Sequence, residues 1–273
     1  MKRLCILHAN CQGEPLAFLL RSSPHFDAAF TLRHVTNYKR EPIPEEALAQ
    51  CALFLFQPLG EQWDELASSR LEEKLPASAI SLQVPNMFFK GYWPFWTNAG
   101  TMAFGDSFLD YLADQGLSLS EAMRIYLHGK LGAKFDLDAI VAETLERERV
   151  KEQRAFVKTV DFVAEHWKNR QLFSSVNHPQ PELCLLMADA ILERLGLPPV
   201  PEAARQACPP CDADFDLPIH PEVGRHFGLP FVSVERTYPV FGKRLTFAQY
   251  VLCYLDCRQH GGDFVAYLHQ VAV

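Results

Sequence analysis

No stretch of the sequence stays apolar for the roughly 18 or more residues that a membrane-spanning helix needs. The first apolar run, Leu4 to Leu7, is also too short for the core of a secretory signal, and it passes directly into His8, Asn10 and Gln12. Excess positive charge is missing too: 26 Lys and Arg face 33 Asp and Glu, a formal charge of −7. That balance argues against general nucleic-acid binding, which needs a concentrated basic face. The expectation is a cytoplasmic protein with no membrane span and no nucleic-acid partner. In that compartment the 8 cysteines read as reduced thiols rather than as a disulfide framework.

What is present is ample material for a core, with 48% apolar residues in 273. The N-terminal stretch Leu4-Cys5-Ile6-Leu7-His8-Ala9-Asn10-Cys11-Gln12-Gly13 organises the rest. A short apolar run enters a polar turn, and Leu16, Leu19 and Leu20 follow at helical spacing. The pattern predicts a buried strand, a tight turn carrying Cys11, and a helix. Free N–H groups at a helix start favour thiolate over thiol, so a reactive cysteine suits this place. The competing reading is a small buried core cysteine, against which stand the flanking amides of Asn10 and Gln12, each needing partners.

Phe30 to Val35 predicts a second strand, with Arg33, His34, Lys39 and Arg40 as a basic cluster behind it. Pro42 and Pro44 open a helical segment, and Cys51 to Phe56 is continuously apolar, as in a parallel strand covered on both faces. That run stops at Gln57-Pro58. Trp63, Leu66, Ala67 and Leu71 predict an amphipathic helix, and Ala79 to Val84 a further strand running into Pro85-Asn86. The rhythm implies an α/β fold: a small parallel sheet with right-handed crossover helices, an SGNH- or flavodoxin-like core, plus a large helical insertion. Ligands of such sheets lie outside the carboxyl ends of the strands, where Cys11, Gln57 and Asn86 would converge.

The expected division is an α/β core over 1–100, a helical subdomain over 101–170, and a histidine-bearing segment over 171–273 packing back as one compact unit. In the middle part Leu137, Ile140, Val141 and Leu145 share a helical face, and Glu146-Arg147-Glu148-Arg149 reads as a solvated charge run. Phe156, Val160, Val163, Ala164 and Trp167 predict another helical stripe. His178, in Asn177-His178-Pro179, precedes a helix marked by Leu183, Leu186, Met187, Ala190, Ile191 and Leu195. A helix start disfavours imidazolium, leaving a ring able to accept a proton, although a capping role fits the spacing equally. The Pro-rich segment from Pro198 to Pro230 reads as a long surface loop. Its Cys208-Pro209-Pro210-Cys211, with His220 and His226, lacks the spacing of a zinc finger or ribbon, and no metal is expected. A helix with Phe247, Tyr250, Val251, Tyr254 and Leu255 then ends at Gly261-Gly262.

The ordered blocks His-Ala-Asn-Cys-Gln, Phe-Gln-Pro-Leu-Gly, Asn-Met-Phe-Phe-Lys-Gly-Tyr-Trp-Pro and Asn-His-Pro resemble the WcbI family of capsular-polysaccharide biosynthesis proteins. The resemblance runs from residue 3 to about residue 195. Members tend to read Gly-Tyr-His-Pro where this chain has Trp93 before Pro94, so no histidine role is carried to that position. The resemblance implies an acetyl-CoA-dependent O-acetyltransferase acting on a sugar or polysaccharide precursor. On that basis Cys11 and His178 are the catalytic candidates. Asn10, Gln12, Gln57, Asn86, Tyr92 and Asn177 are candidates for oxyanion or substrate contacts, and Gly13, Lys90, Gly91 and Arg33 for the coenzyme. Two alternatives stay open on the residues alone. One is a thiol esterase or deacylase with water as acceptor. The other is a non-catalytic carbohydrate-binding assembly protein, with Tyr92, Trp93 and Trp96 as a stacking platform.

Overall fold

The structure is a computed structural model that describes residues 2–100 and 102–271. Strands and helices alternate through the first part of the chain: β1 (Arg3–Ala9), α1 (Gly13–Arg21), α2 (Pro24–Ala29), β2 (Phe30–Thr36), α3 (Glu45–Ala49), β3 (Cys51–Phe56), α4 (Ser68–Glu73) and β4 (Ile80–Gln83). Helices dominate the remainder: α5 (Ser107–Asp114), α6 (Leu119–His128), α7 (Leu131–Lys134), α8 (Leu137–Glu152), α9 (Val160–His166), α10 (Pro181–Arg194), α11 (Glu202–Ala207), α12 (Pro221–Phe227), α13 (Phe247–His260) and α14 (Phe264–Gln270). None of the described helices is long and apolar enough to cross a membrane.

The chain sorts into two interleaved units. The first comprises the residues through Phe88, with 147–164 and 177–211; the second comprises 89–146, 165–176 and the residues from Asp212 onward. In the first unit β1 to β4 form one parallel sheet in the order β2-β1-β3-β4. β1 and β3 are interior and almost wholly buried, which is why both read as unbroken apolar runs. One face carries Ile6, Phe54 and Phe56 against Leu48 and Leu71. α1 packs against α10. The strand order reverses between β1 and β3, the place where such sheets open a crevice at their carboxyl ends.

Four expectations need correction. The helix expected around Trp63 is broken: a 3-10 turn, Glu61–Leu66, contains Asp64 at φ 52°, and α4 begins only at Ser68. The stripe expected from Phe156 starts later, because α9 begins at Val160 and Phe156 is exposed. The Pro-rich segment holds two helices, α11 after Pro201 and α12 with Pro221 in its first turn, since proline is tolerated where the helix has no N–H partner to lose. The charge run is solvated only in part, because Glu148 is buried (7% exposed). It lies with Leu137, Val141, Thr144 and Glu152 on the inward face of α8, at spacings of three and four.

In the second unit aromatic rings form the core. Phe89 packs within about 6 Å, centroid to centroid, of Tyr92, Trp167 and Phe173, and Tyr92 lies 6.0 Å from Trp167. Thr237–Val240 and Lys243–Thr246 pair as an antiparallel hairpin.

Candidate functional site

The turn after β1 is fixed by amides. The backbone N–H of Asn10 donates to Gln57 Oε1 (2.9 Å), which ties the end of β1 to the end of β3. The Asn10 side chain accepts from the Gln12 N–H (2.9 Å) and donates to Asn86 Oδ1 (3.2 Å), beyond the end of β4. Helical hydrogen bonding starts at once, with Gly13 N–H donating to Asn10 O and Glu14 N–H to Cys11 O. Cys11 is half-buried, not sealed in the core. A Cβ at Gly13 would lie 2.3 Å from His34 Nε2, so the His34 ring would have to move to admit one.

Gln12 is the hub of the loops. It is 1% exposed, and its Oε1 accepts from Gln57 Nε2 (3.0 Å) and the Met87 N–H (3.0 Å). Its Nε2 donates to Met87 O (2.8 Å), Asn177 O (2.8 Å) and Asn86 Oδ1 (3.3 Å). Gln57, 2% exposed, completes the set by donating to Pro85 O (3.3 Å). Every donor of these two buried amides is therefore engaged within the protein, as buried polar groups require. Their work is to hold four loops together. The Nδ2 donors of Asn86, at an exposed residue, have no partner among the described residues.

His178 is half-buried and lies in a short extended piece, His178–Pro179, two residues before the Gln180 cap of α10. Its neighbour Asn177 is the residue whose carbonyl Gln12 grips. The thiols form a second grouping. Cys184, buried on α10, is hydrogen-bonded to Cys211, and that bond, burial and the nearby thiols of Cys208 and Cys11 push it well above the usual thiol range. Burial and then Cys211 push Cys208 up to about 11. Cys211 in turn donates to Pro179 O (3.4 Å). His220 and His226 belong to the second unit and are engaged there: His220 caps α12 and meets Tyr126 O (2.9 Å), and His226 pairs with Asp138 (2.7 Å). Among the described residues no group of three or more side chains is arranged to hold a metal.

The remaining candidates divide by unit. Arg33 is exposed on β2 in the first unit, and its neighbour His34 is turned to Glu14 (3.1 Å) and Ala9 O (3.3 Å). Lys90, Gly91 and Tyr92 belong to the second. There Tyr92 is fully buried and donates to Trp167 O (2.7 Å) and Arg170 O (3.0 Å), while burial raises its hydroxyl far above the ordinary range. A Cβ at Gly91 would sit 2.4 Å from the Phe89 ring, so this glycine serves packing. Trp93 is buried as well and donates to Leu217 O (3.0 Å). Of the expected stacking platform, Tyr92 and Trp93 are buried in the packing of the second unit and Trp96 is half-buried.

The family model for the polysaccharide biosynthesis enzyme WcbI matches residues 4–200. The chain belongs to the WcbI family. A solved structure of WcbI, described as a novel polysaccharide biosynthesis enzyme, matches with a TM-score of 0.80 over 98% of this chain and 94% of that one. At 18% identity this likeness concerns the fold. That structure is described as the native WcbI without a disulfide bond between coenzyme A and a cysteine. No protein of curated function matches the chain. WcbI family membership covers the strand, turn and helix of Cys11, the Gln57 and Asn86 loops and the His178 segment in one stretch.

Buried acids are what sequence reasoning missed. Glu148 and Glu152 continue the apolar face of α8, and that periodicity was the available signal, masked by the neighbouring Arg and Glu residues.

Proposed function

We propose that the protein transfers an acetyl group from acetyl-CoA to a sugar hydroxyl during polysaccharide synthesis. The observation that carries this reading is the 2.8 Å hydrogen bond from Gln12 to the Asn177 carbonyl. One buried amide thereby links the neighbours in sequence of Cys11 and His178, at the strand-order reversal where parallel sheets bind their ligands. WcbI family membership supports the pathway, and the naming of coenzyme A together with a cysteine in the description of the solved relative, there without a disulfide between them, supports the donor.

In the reaction Cys11 Sγ attacks the thioester carbonyl, the tetrahedral centre collapses, and coenzyme A leaves as its thiolate and takes up a proton. His178 then removes the proton of the sugar hydroxyl as that oxygen attacks the acetyl–Cys11 carbonyl, and the Cys11 thiolate is released. The Nδ2 donors of Asn86 are the groups open to the oxyanion, one such donor contributing about 3 kcal/mol. Gln12 and Gln57 position these loops without touching the reacting atoms. Arg33, an exposed cation of the first unit, is assigned to a coenzyme phosphate.

Replacement of Cys11 by Ala tests the reading. The expected result is loss of acetyl transfer to the acceptor and of any acetyl adduct on the protein, followed by intact mass and coenzyme A release. Near-normal turnover in Cys11→Ala contradicts the covalent route. Rapid free acetate from wild type without sugar identifies a hydrolase instead.

A further inference from the structure

In the first unit a cavity of about 200 Å³ adjoins the amide hub, lined by Asn86, Gln83, Glu148, Lys151, Glu152 and Thr159 among others. Asn86 belongs to both, since its Oδ1 receives the Asn10 and Gln12 side chains. The polar wall is preorganised. Lys151 Nζ donates to both oxygens of Glu148 (2.8 Å each) and to Asn86 O (3.3 Å). Glu152 is engaged by the Thr159 N–H (2.7 Å) and Oγ1 (3.2 Å), which braces the wall behind. Among the described residues the hydrogen bonds of the Glu148 carboxylate come from Lys151, so this residue, 7% exposed, keeps free acceptor positions. A buried carboxylate with unused acceptors facing a cavity is costly unless a donor-rich ligand arrives.

We propose that this cavity is the acceptor-sugar subsite, taking one neutral pyranose ring whose hydroxyls donate to Glu148, which Lys151 holds in place, and accept from Asn86. Two carboxylates against one ammonium repel a phosphate, which sets the cavity apart from a coenzyme phosphate site. Its size also falls below the roughly 300–1,000 Å³ of clefts that bury a whole drug-sized ligand. A hydroxyl held against Asn86 lies one hydrogen bond from the turn that bears Cys11. The inference rests on acetyl transfer to a sugar as the function.

Binding and chemistry can be read apart. Mannose, galactose and N-acetylglucosamine, each with its 1-phosphate, are titrated into the full chain by saturation-transfer NMR without coenzyme. Coenzyme A binding and the acetyl adduct are followed in the same preparations by thermal shift and intact mass. Wild type is expected to bind at least one neutral sugar more tightly than its 1-phosphate. Glu148→Gln should weaken that sugar at least tenfold, while the coenzyme A thermal shift and the adduct stay as in wild type. Lys151→Met, at an exposed side chain, should weaken it as well and serves if Glu148→Gln folds poorly. Absence of sugar binding by wild type, equal binding by both variants, tighter binding of the 1-phosphates, or loss of coenzyme A binding in Glu148→Gln each overturns the assignment. An absent adduct with sugar binding intact strikes the transfer chemistry and leaves the subsite standing.

Discussion

The two units each gather polar groups in a buried setting, and they do so to opposite ends. In the second unit Asp106, Tyr126, Tyr250 and His220 line an aromatic cavity of only about 40 Å³, room for one or two waters. Burial raises the Asp106 carboxyl to about 6 and lowers the His220 imidazole to about 4. Asp106 nonetheless serves as the cap of α5, accepting from the Phe108 and Leu109 N–H groups, and as acceptor for the Tyr126 hydroxyl (2.5 Å). In the first unit the amides of Gln12 and Gln57 are equally satisfied, but they brace the turn that carries a half-buried thiol, and they adjoin a cavity of about 200 Å³. Perturbed ionisation alone marks burial. A site also needs access, and of these two regions the first has the half-buried thiol and the roomier cavity.

Paired substitutions sharpen the contrast. Gln12→Ala removes the five hydrogen bonds of its hub and is expected to cost about 3–4 kcal/mol of stability, with turnover per folded molecule falling at least tenfold. Asp106→Ala removes a helix cap and the Tyr126 partner and should cost about 3 kcal/mol, with turnover per folded molecule unchanged. Urea unfolding and active-site-normalised rates check both. Equal losses of turnover would erase the distinction.

A smaller effect separates two buried histidines. His8 on β1 has neither ring nitrogen partnered, and burial, with His34 nearby, lowers it to about 4. His220 reaches about 4 with both nitrogens engaged. Unfolded, each titrates near 6.5, so the unfolded chain takes up the proton first and stability falls as pH drops from 6.5 towards 4. Asp106 acts in reverse, since a carboxyl raised to about 6 loses stability as pH rises through that value. It offsets one imidazole over the lower part of the window. His8→Leu, which leaves no hydrogen bond broken, should remove about 2 kcal/mol of the loss between about pH 7 and pH 5. His220→Leu should lower stability at both pH values because its two partners lose their bond. Unfolding curves at the two pH values distinguish them.

The sheet was legible because interior parallel strands must be apolar on both faces, and Cys51–Phe56 obeys that without interruption. The strand ends expected to bring Cys11, Gln57 and Asn86 together are tied by hydrogen bonds of Asn10, next to Cys11, to Gln57 and Asn86. Whether an amide would face a ligand or a neighbouring loop was not legible: Gln12 looks the same in either role, and only its five partners reveal a structural hub. Tyr92 reads as a functional tyrosine in its Gly-Tyr element, yet packing buries it. Interleaving of the chain between two units left no local mark, because α8 and α9 each pass from one unit to the other without a break in helical pattern.

The central claim is that Cys11 carries the acetyl group and His178 works in the second step. Rapid-quench intact mass of His178→Ala with acetyl-CoA and sugar tests it most directly. The acetyl adduct on Cys11 should form and accumulate while product formation falls roughly 10²–10⁴-fold. Full product formation by His178→Ala with no adduct on Cys11 would contradict the account.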